Sequence, residues 1–208
     1  MIHYSEEDIE GLDKVFRINL INSCSGYKSA NLIGTKSKSG IANVAVFSSI
    51  VHLGSNPPLL GFFLRPTEIF PRNTYTNIKE TGVYTINSIF KEVIDDAHHT
   101  SAKYDKTISE FSVTNLNEEY IDQIYPPFIK NSPIKIEMKF VEEIKIKANK
   151  SRLIIGKIIS LFIEKKLLEK DGFLSLNKAG IPTISGCDGY SIPKNYNRKG
   201  YQKPRIKP

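Results

Sequence analysis

GIANVAVFSSIVHLGSNPPLLGFFLRPTEIFPRNTYTN, residues 40–77, carries two strands across a double-proline stop and then turns into a helix. The first strand is rich in small residues: Ala42, Asn43, Ala45, Ser48 and Ser49 leave room for a flat ligand against the backbone. The apolar run Leu59 to Leu64 reads as a buried strand that stops at Arg65. Pro71 fits the first position of a helix, where its missing N–H costs nothing. Gly82 fits the left-handed residue that closes that helix. Free backbone N–H groups at a helix start, with Arg65, Arg72, Asn73 and Thr74 nearby, suit a phosphate. A platform followed by an anion site points to a phosphorylated aromatic cofactor.

Working outward, residues 29–53 read as a β-hairpin whose turn is the polar SKSG at 37–40. Residues 1–15 predict a short helix with Ser5 as its N-cap, and Phe16 to Cys24 an irregular strand. Downstream, Val83 to Phe90 is β-branched and aromatic and predicts a strand. Residues 91–112 are polar, with a short helix expected near Thr107 to Phe111. Residues 113–132 form a loop whose apolar residues Ile121, Ile124, Tyr125, Phe128 and Ile129 are expected to cover a partner subunit. From Ile134 the apolar and charged residues alternate, with an interruption at Val141 to Glu143 that predicts a bulge or a bend. Leu153 to Ile163 is almost continuously apolar and predicts a strand buried on both faces, reached through a turn at Ala148 to Ser151. The tail from 176 is rich in Gly, Pro, Asn and Lys and predicts little regular structure. No βαβαβ rhythm is present, so the fold class is mainly β: an antiparallel Greek-key barrel with a few peripheral helices.

The chain has 208 residues and a formal net charge of +7. Its basic residues are scattered and interleaved with glutamates, which disfavours nucleic acid as a partner, while the positive field draws anionic ligands. Cys24 and Cys187 lack CxxC spacing and read as reduced thiols of a cytoplasmic protein, with a bridge between the two distant positions as the alternative. No run of 18 apolar residues predicts a membrane span.

The residues of the 40–77 stretch and its sequel also resemble a known family. Asn43, Phe47, Ser48 and Ser49, then Ser55-Asn56-Pro57-Pro58, Arg65-Pro66, Arg72-Asn73-Thr74, Asn77-Ile78, Thr81-Gly82 and Ile86-Asn87 stand in the order of the flavin reductase-like, FMN-binding split-barrel family. The resemblance continues through Ser101, Tyr104, Glu110 and Phe111 and more weakly to Tyr190. It implies a split barrel and one domain over 1–208, with an N-terminal extension at 1–15 and a mobile or partner-contacting tail at 191–208. It implies FMN as cofactor, NAD(P)H as electron donor, and a homodimer with flavin near the subunit interface. The acceptor would be a small molecule or a partner redox protein. The flavin would carry the chemistry, so no acid–base pair is expected on the protein.

The expected cofactor-binding residues are Asn43, Phe47, Ser48, Ser49, Arg65, Arg72, Asn73, Thr74, Ser101 and Tyr190, with the choice between Arg65 and Arg72 as phosphate ligand open. In isolation Asn43, Ser48 and Ser49 would be solvated strand residues, and the two arginines a helix cap; their place in the ordered set favours flavin. His98-His99 is adjacent in sequence and lacks a completing ligand set, so no metal is expected. GxSxG, GxGxxG and P-loop patterns are absent. Two other readings compete: a non-catalytic FMN carrier, and a basic nucleic-acid-binding protein.

Overall fold

The computed structural model describes residues 1–68, 72–195 and 197–204. Two helices come first, α1 (Glu6–Gly11) and α2 (Lys14–Cys24). Then follow β1 (Lys28–Ser29), β2 (Asn31–Lys36), β3 (Ala42–Phe47), β4 (Val51–Ser55), β5 (Pro58–Leu64), α3 (Asn73–Thr81), β6 (Val83–Ser88) and α4 (Ile94–His99). The second half holds β7 (Glu118–Glu119), β8 (Phe128–Ile129), β9 (Ile134–Lys145), β10 (Arg152–Ile163), β11 (Thr183–Ser185) and β12 (Gly189–Ser191), with short 3-10 turns between them.

Seven strands form one antiparallel sheet in the order β3-β2-β6-β9-β10-β5-β4. The sheet curls until its first strand approaches its fifth-numbered one. Ser49, just past β3, accepts from Phe63 N (3.1 Å) and donates to Phe63 O (3.2 Å), so its hydroxyl stitches the end of β3 to β5. The result is the split barrel that the resemblance implied, antiparallel and mainly β. Its interior holds Ile33, Phe62, Leu64, Ile78, Tyr84, Ile86, Met138 and Ile154, each side chain contributing roughly 1.5–3 kcal/mol by leaving water. A second cluster, with Leu32, Val44, Phe111, Leu116, Ile129 and Ile184 among its members, packs outside the β2–β3 hairpin.

Local chemistry explains most elements. Ser5 caps α1 in a reciprocal box with Asp8. The β2–β3 hairpin turns through residues 37–40, as the SKSG turn predicts, and stops at Phe47. Val51–Ser55 leaves it to pair with β5, which shortens the expected 29–53 hairpin. The interruption in β9 is a bulge: Ile155 pairs with Glu142 and Gly156 with Phe140, leaving Val141 unpaired. Gly82 ends α3 with φ 73, as its C-terminal position requires. Gly156 is required by proximity, since a Cβ there would meet Tyr84 Oη at 2.2 Å.

Five expectations need correction. Residues 16–24 are helical and belong to α2, because Asp13 Oδ1 accepts from Val15 N and Phe16 N and so nucleates a turn. The run Leu153–Ile163 is not covered on both faces: Ile159 and Leu161 are half exposed. Phe128 and Ile129, expected on a partner, are buried within their own chain. The tail from 176 is more regular than expected, because β11 pairs with both β1 and β12. The expected short helix before Phe111 lies slightly later, as a 3-10 turn over Glu110–Val113.

Candidate functional site

One cavity of about 920 Å³ opens beside the free edge of β3. All ten residues singled out as cofactor ligands line it: Asn43, Phe47, Ser48, Ser49, Arg65, Arg72, Asn73, Thr74, Ser101 and Tyr190. The fold brings them from β3, the loop after β5, the start of α3, the end of α4, and β12.

The platform is β3. As a sheet edge it presents N–H groups that β2 does not reach. Val44 N donates to Glu110 Oε2 (3.1 Å) and Val46 N to Thr100 Oγ1 (2.9 Å), so residues 100–110 seal that edge and form one wall. Glu110 is buried, and burial pushes its carboxyl above the ordinary carboxylate range. Asn43 is also buried. Its amide is best oriented with Nδ2 towards Glu110 Oε2 (3.3 Å) and Oδ1 accepting from Thr74 Oγ1 (3.2 Å). The Asn43 amide therefore ties the platform to α3. Phe47 packs edge-on against Phe62 at 5.0 Å between centroids and gives the floor an apolar base. With the Ser49 hydroxyl spent on Phe63, Ser48 is the serine of this pair whose hydroxyl has no partner among the described residues.

The cationic end is built by Arg65 and Arg72. Pro71, expected as the first helical residue, lies outside the described residues. Arg72 is extended (φ −118, ψ 110) and is the N-cap of α3, one position before the first turn where it was expected. It makes no side-chain capping bond, so the first N–H groups of α3, from Asn73 onward, have no side-chain cap. Burial, with the Arg65 charge beside it, lowers the affinity of the Arg72 guanidinium for its proton. Its Nε is buried and has no hydrogen-bond partner among the described residues. The arginine ion pairs of the described residues belong to Arg152 and Arg198, and neither Arg65 nor Arg72 has one. Two unpaired cations at a helix start, one of them with a buried orphan donor, form a cradle for an anion.

At the other end stand α4 and β12. Tyr190 Oη and His98 Nδ1 are 3.3 Å apart with the rings edge-to-face, and burial raises the Tyr190 phenol. His99 Nε2 meets Tyr104 Oη at 2.6 Å. Among the described residues no group of three His, Cys, Asp or Glu side chains could hold a metal ion. The sequence reading expected the turn between β9 and β10 but did not place it at the site, where Ile146, Asn149 and Ser151 complete a wall, nor Cys187 and Asn22 at the rim. Nothing in their local sequence marks them, since their place depends on pairing between strands far apart in the chain. Among the described residues no helix is long and apolar enough to cross a membrane.

The chain resembles several solved structures over nearly its whole length. A candidate flavin reductase with split-barrel domain from Shewanella frigidimarina NCIMB 400 is 40% identical, with TM-score 0.93, over 97% of this chain and 100% of that one. Nitrilotriacetate monooxygenase component B from Bacillus cereus has TM-score 0.83 at 17% identity, over 96% of this chain and 98% of that one. An FMN-binding protein from Thermus thermophilus has TM-score 0.73 at 14% identity, over 96% of this chain and all of its own length. The second and third likenesses speak for the fold alone. The model of the flavin reductase-like domain matches residues 26–202, from the strand that opens the sheet to the tail beyond β12, and the chain belongs to that family.

Proposed function

We propose that the protein is an FMN-dependent oxidoreductase that takes electrons from NAD(P)H and passes them through the flavin to a small-molecule acceptor or a partner redox protein. The observation that carries the reading is the pair Arg65 and Arg72, unpaired among the described residues, at one end of a cavity floored by small residues. A phosphate satisfies the orphaned Arg72 Nε and neutralises the repulsion between the two cations. The narrow side chains of Ala45 and Ser48 leave space for a planar ring beside the β3 backbone. Bound there, the flavin would supply two-electron chemistry. The protein's residues bind and orient it: Arg65 and Arg72 with the first N–H groups of α3, at Asn73 and Thr74, hold the phosphate, Phe47 supports the ring face, and Tyr190 with His98 closes the far end.

The assembly we propose is a homodimer. Val51, Phe63 and Ile144 share one sheet face by register and are exposed, with Leu53 beside them against Gly61. Such a contiguous apolar strip suits a second copy. Phe63 also lines the cavity, which puts the site at the edge of that face. Both cysteines are exposed and unbridged, which supports a reducing compartment such as the cytoplasm.

Visible spectroscopy tests the reading. The protein should bind FMN in preference to riboflavin, and NAD(P)H should bleach the bound flavin under anaerobic conditions. Equal affinity for the two flavins would refute the phosphate cradle. Unbleached FMN with both nicotinamide donors would leave a carrier in place of an enzyme. A monomeric mass with flavin bound would sink the dimer.

A further inference from the structure

Arg152 opens β10 at the end of the barrel and does not line the cavity. Its side chain is only 14% exposed, yet every arm of its fork is engaged. Nε donates to Thr67 Oγ1 (3.1 Å), Nη1 to Glu143 Oε1 (2.8 Å) and Nη2 to Glu68 Oε1 (3.3 Å). The guanidinium lies over the Tyr75 ring, 5.1 Å from its centroid. Tyr75 Oη donates in turn to the same Glu143 oxygen (3.3 Å). Lys145 reaches Glu68 from the neighbouring strand (3.0 Å), and its hydrogen bond holds the Glu68 carboxyl down to about 2, ionised at any working pH.

The partners of this one side chain fall on three elements. Thr67 and Glu68 stand two and three residues after Arg65. Tyr75 stands three residues after Arg72, in the first turn of α3. Glu143 belongs to β9, part of the rigid sheet. Arg65 and Arg72 repel each other, so the loop and the helix start tend to separate unless something opposes it. A planar fork with fixed donor directions supplies that opposition in a way a single ammonium cannot.

We propose that Arg152 is a positioning residue: by clamping the 65–68 loop and α3 onto β9 it sets Arg65 against Arg72, and so determines how strongly the cavity prefers a phosphorylated flavin over the same flavin without its phosphate. This rests on the reading of Arg65 and Arg72 as the phosphate cradle. The clamp acts on the spacing of the two cations and adds no contact of its own to the ligand.

The test uses the full chain freed of flavin and titrated with FMN and with riboflavin by quenching of flavin fluorescence. Arg152→Lys keeps the charge and loses the fork. It should weaken FMN about tenfold, of the order of one charged hydrogen bond, and leave riboflavin within about twofold. Thr67→Val removes only the acceptor of Nε and should move FMN affinity in the same direction by less, which keeps the test open if a change at Arg152 impairs folding. FMN binding to Arg152→Lys as tight as to the wild type would overturn the proposal, since charge alone would then suffice. An equal loss for FMN and riboflavin would also overturn it, because a merely structural role weakens both. Arg65→Ala and Arg72→Ala are run beside these. If they separate FMN from riboflavin and Arg152→Lys does not, only the positioning role fails. If neither separates the two flavins, the phosphate cradle fails and the positioning role with it.

Discussion

Tyr84 and Gly156 give the sharpest test of how the barrel is packed. Tyr84 is fully buried among Phe62, Met138 and Ile154, with its ring edge-on to Phe62 at 5.7 Å. Its hydroxyl has no partner among the described residues, and burial drives its phenol strongly upward, so it stays neutral. An unsatisfied hydroxyl in an apolar interior costs about 1–3 kcal/mol. Tyr84→Phe removes that cost and leaves a gap of one oxygen atom against the bare Gly156 Cα. Deleting one buried heavy atom costs about 0.5–1.5 kcal/mol in lost packing. The balance favours the variant by roughly 1 kcal/mol, or about 2–4 °C for a chain of this size. Gly156→Ala does the opposite. Its Cβ would fall 2.2 Å from Tyr84 Oη, 3.0 Å from Cζ and 3.1 Å from Met138 Cε, so the ring must move inside a filled core. Overpacking of this kind costs about 1–3 kcal/mol. In the Tyr84→Phe background the nearest of these atoms is gone, so the penalty should fall by at least about 1 kcal/mol, a coupling typical of side chains in contact. Urea denaturation of flavin-free protein measures all four members of the cycle. Additive effects, or a Tyr84→Phe variant less stable than the wild type, would refute the packing account.

Two further predictions concern the cavity. Arg72→Ala should weaken FMN roughly ten- to a hundredfold by fluorescence titration and spare riboflavin. The flavin-free variant should melt no lower than the wild type, because an unpaired, partly buried cation beside Arg65 is lost; a lower melting temperature would mean the guanidinium has a structural partner. Glu110 titrates above its ordinary value because it is buried. Its contribution to stability is therefore fully present below the unfolded carboxylate range and is lost as pH rises through its raised value. Glu110→Gln, which keeps an oxygen for Val44 N, should flatten stability between pH 4.5 and that raised value; thermal melts with the same slope in both proteins would contradict the assignment.

What the sequence determined by itself is what depends on neighbours in the chain. The Ser5 cap, the hairpin turn at 37–40, the Gly82 stop, the alternation from Ile134 and its interruption at Val141 to Glu143 are all local rules of hydrogen bonding and side-chain period. The ordered residues from Asn43 to Asn87 carried the family and therefore the barrel. Only the tertiary structure decided which apolar faces are covered. Ile159 and Leu161 are as hydrophobic as Ile154, but they lie beyond a register shift on a face that none of the described residues covers. Val15, Phe16, Ile18 and Ile21 stay exposed along α2, so burial gave no periodic signal there, and the Asp13 cap was the one local cue to a helix. The tertiary structure also decided how polar residues are used. Asn43 and Ser49 look like ligands in sequence, yet their side chains tie β3 to α3 and to β5. Arg152 looks like an ordinary strand residue and emerges as the side chain that joins the loop after β5 to α3. Such roles arise from partners scores of residues away, brought together by strand register, and no local spacing encodes them.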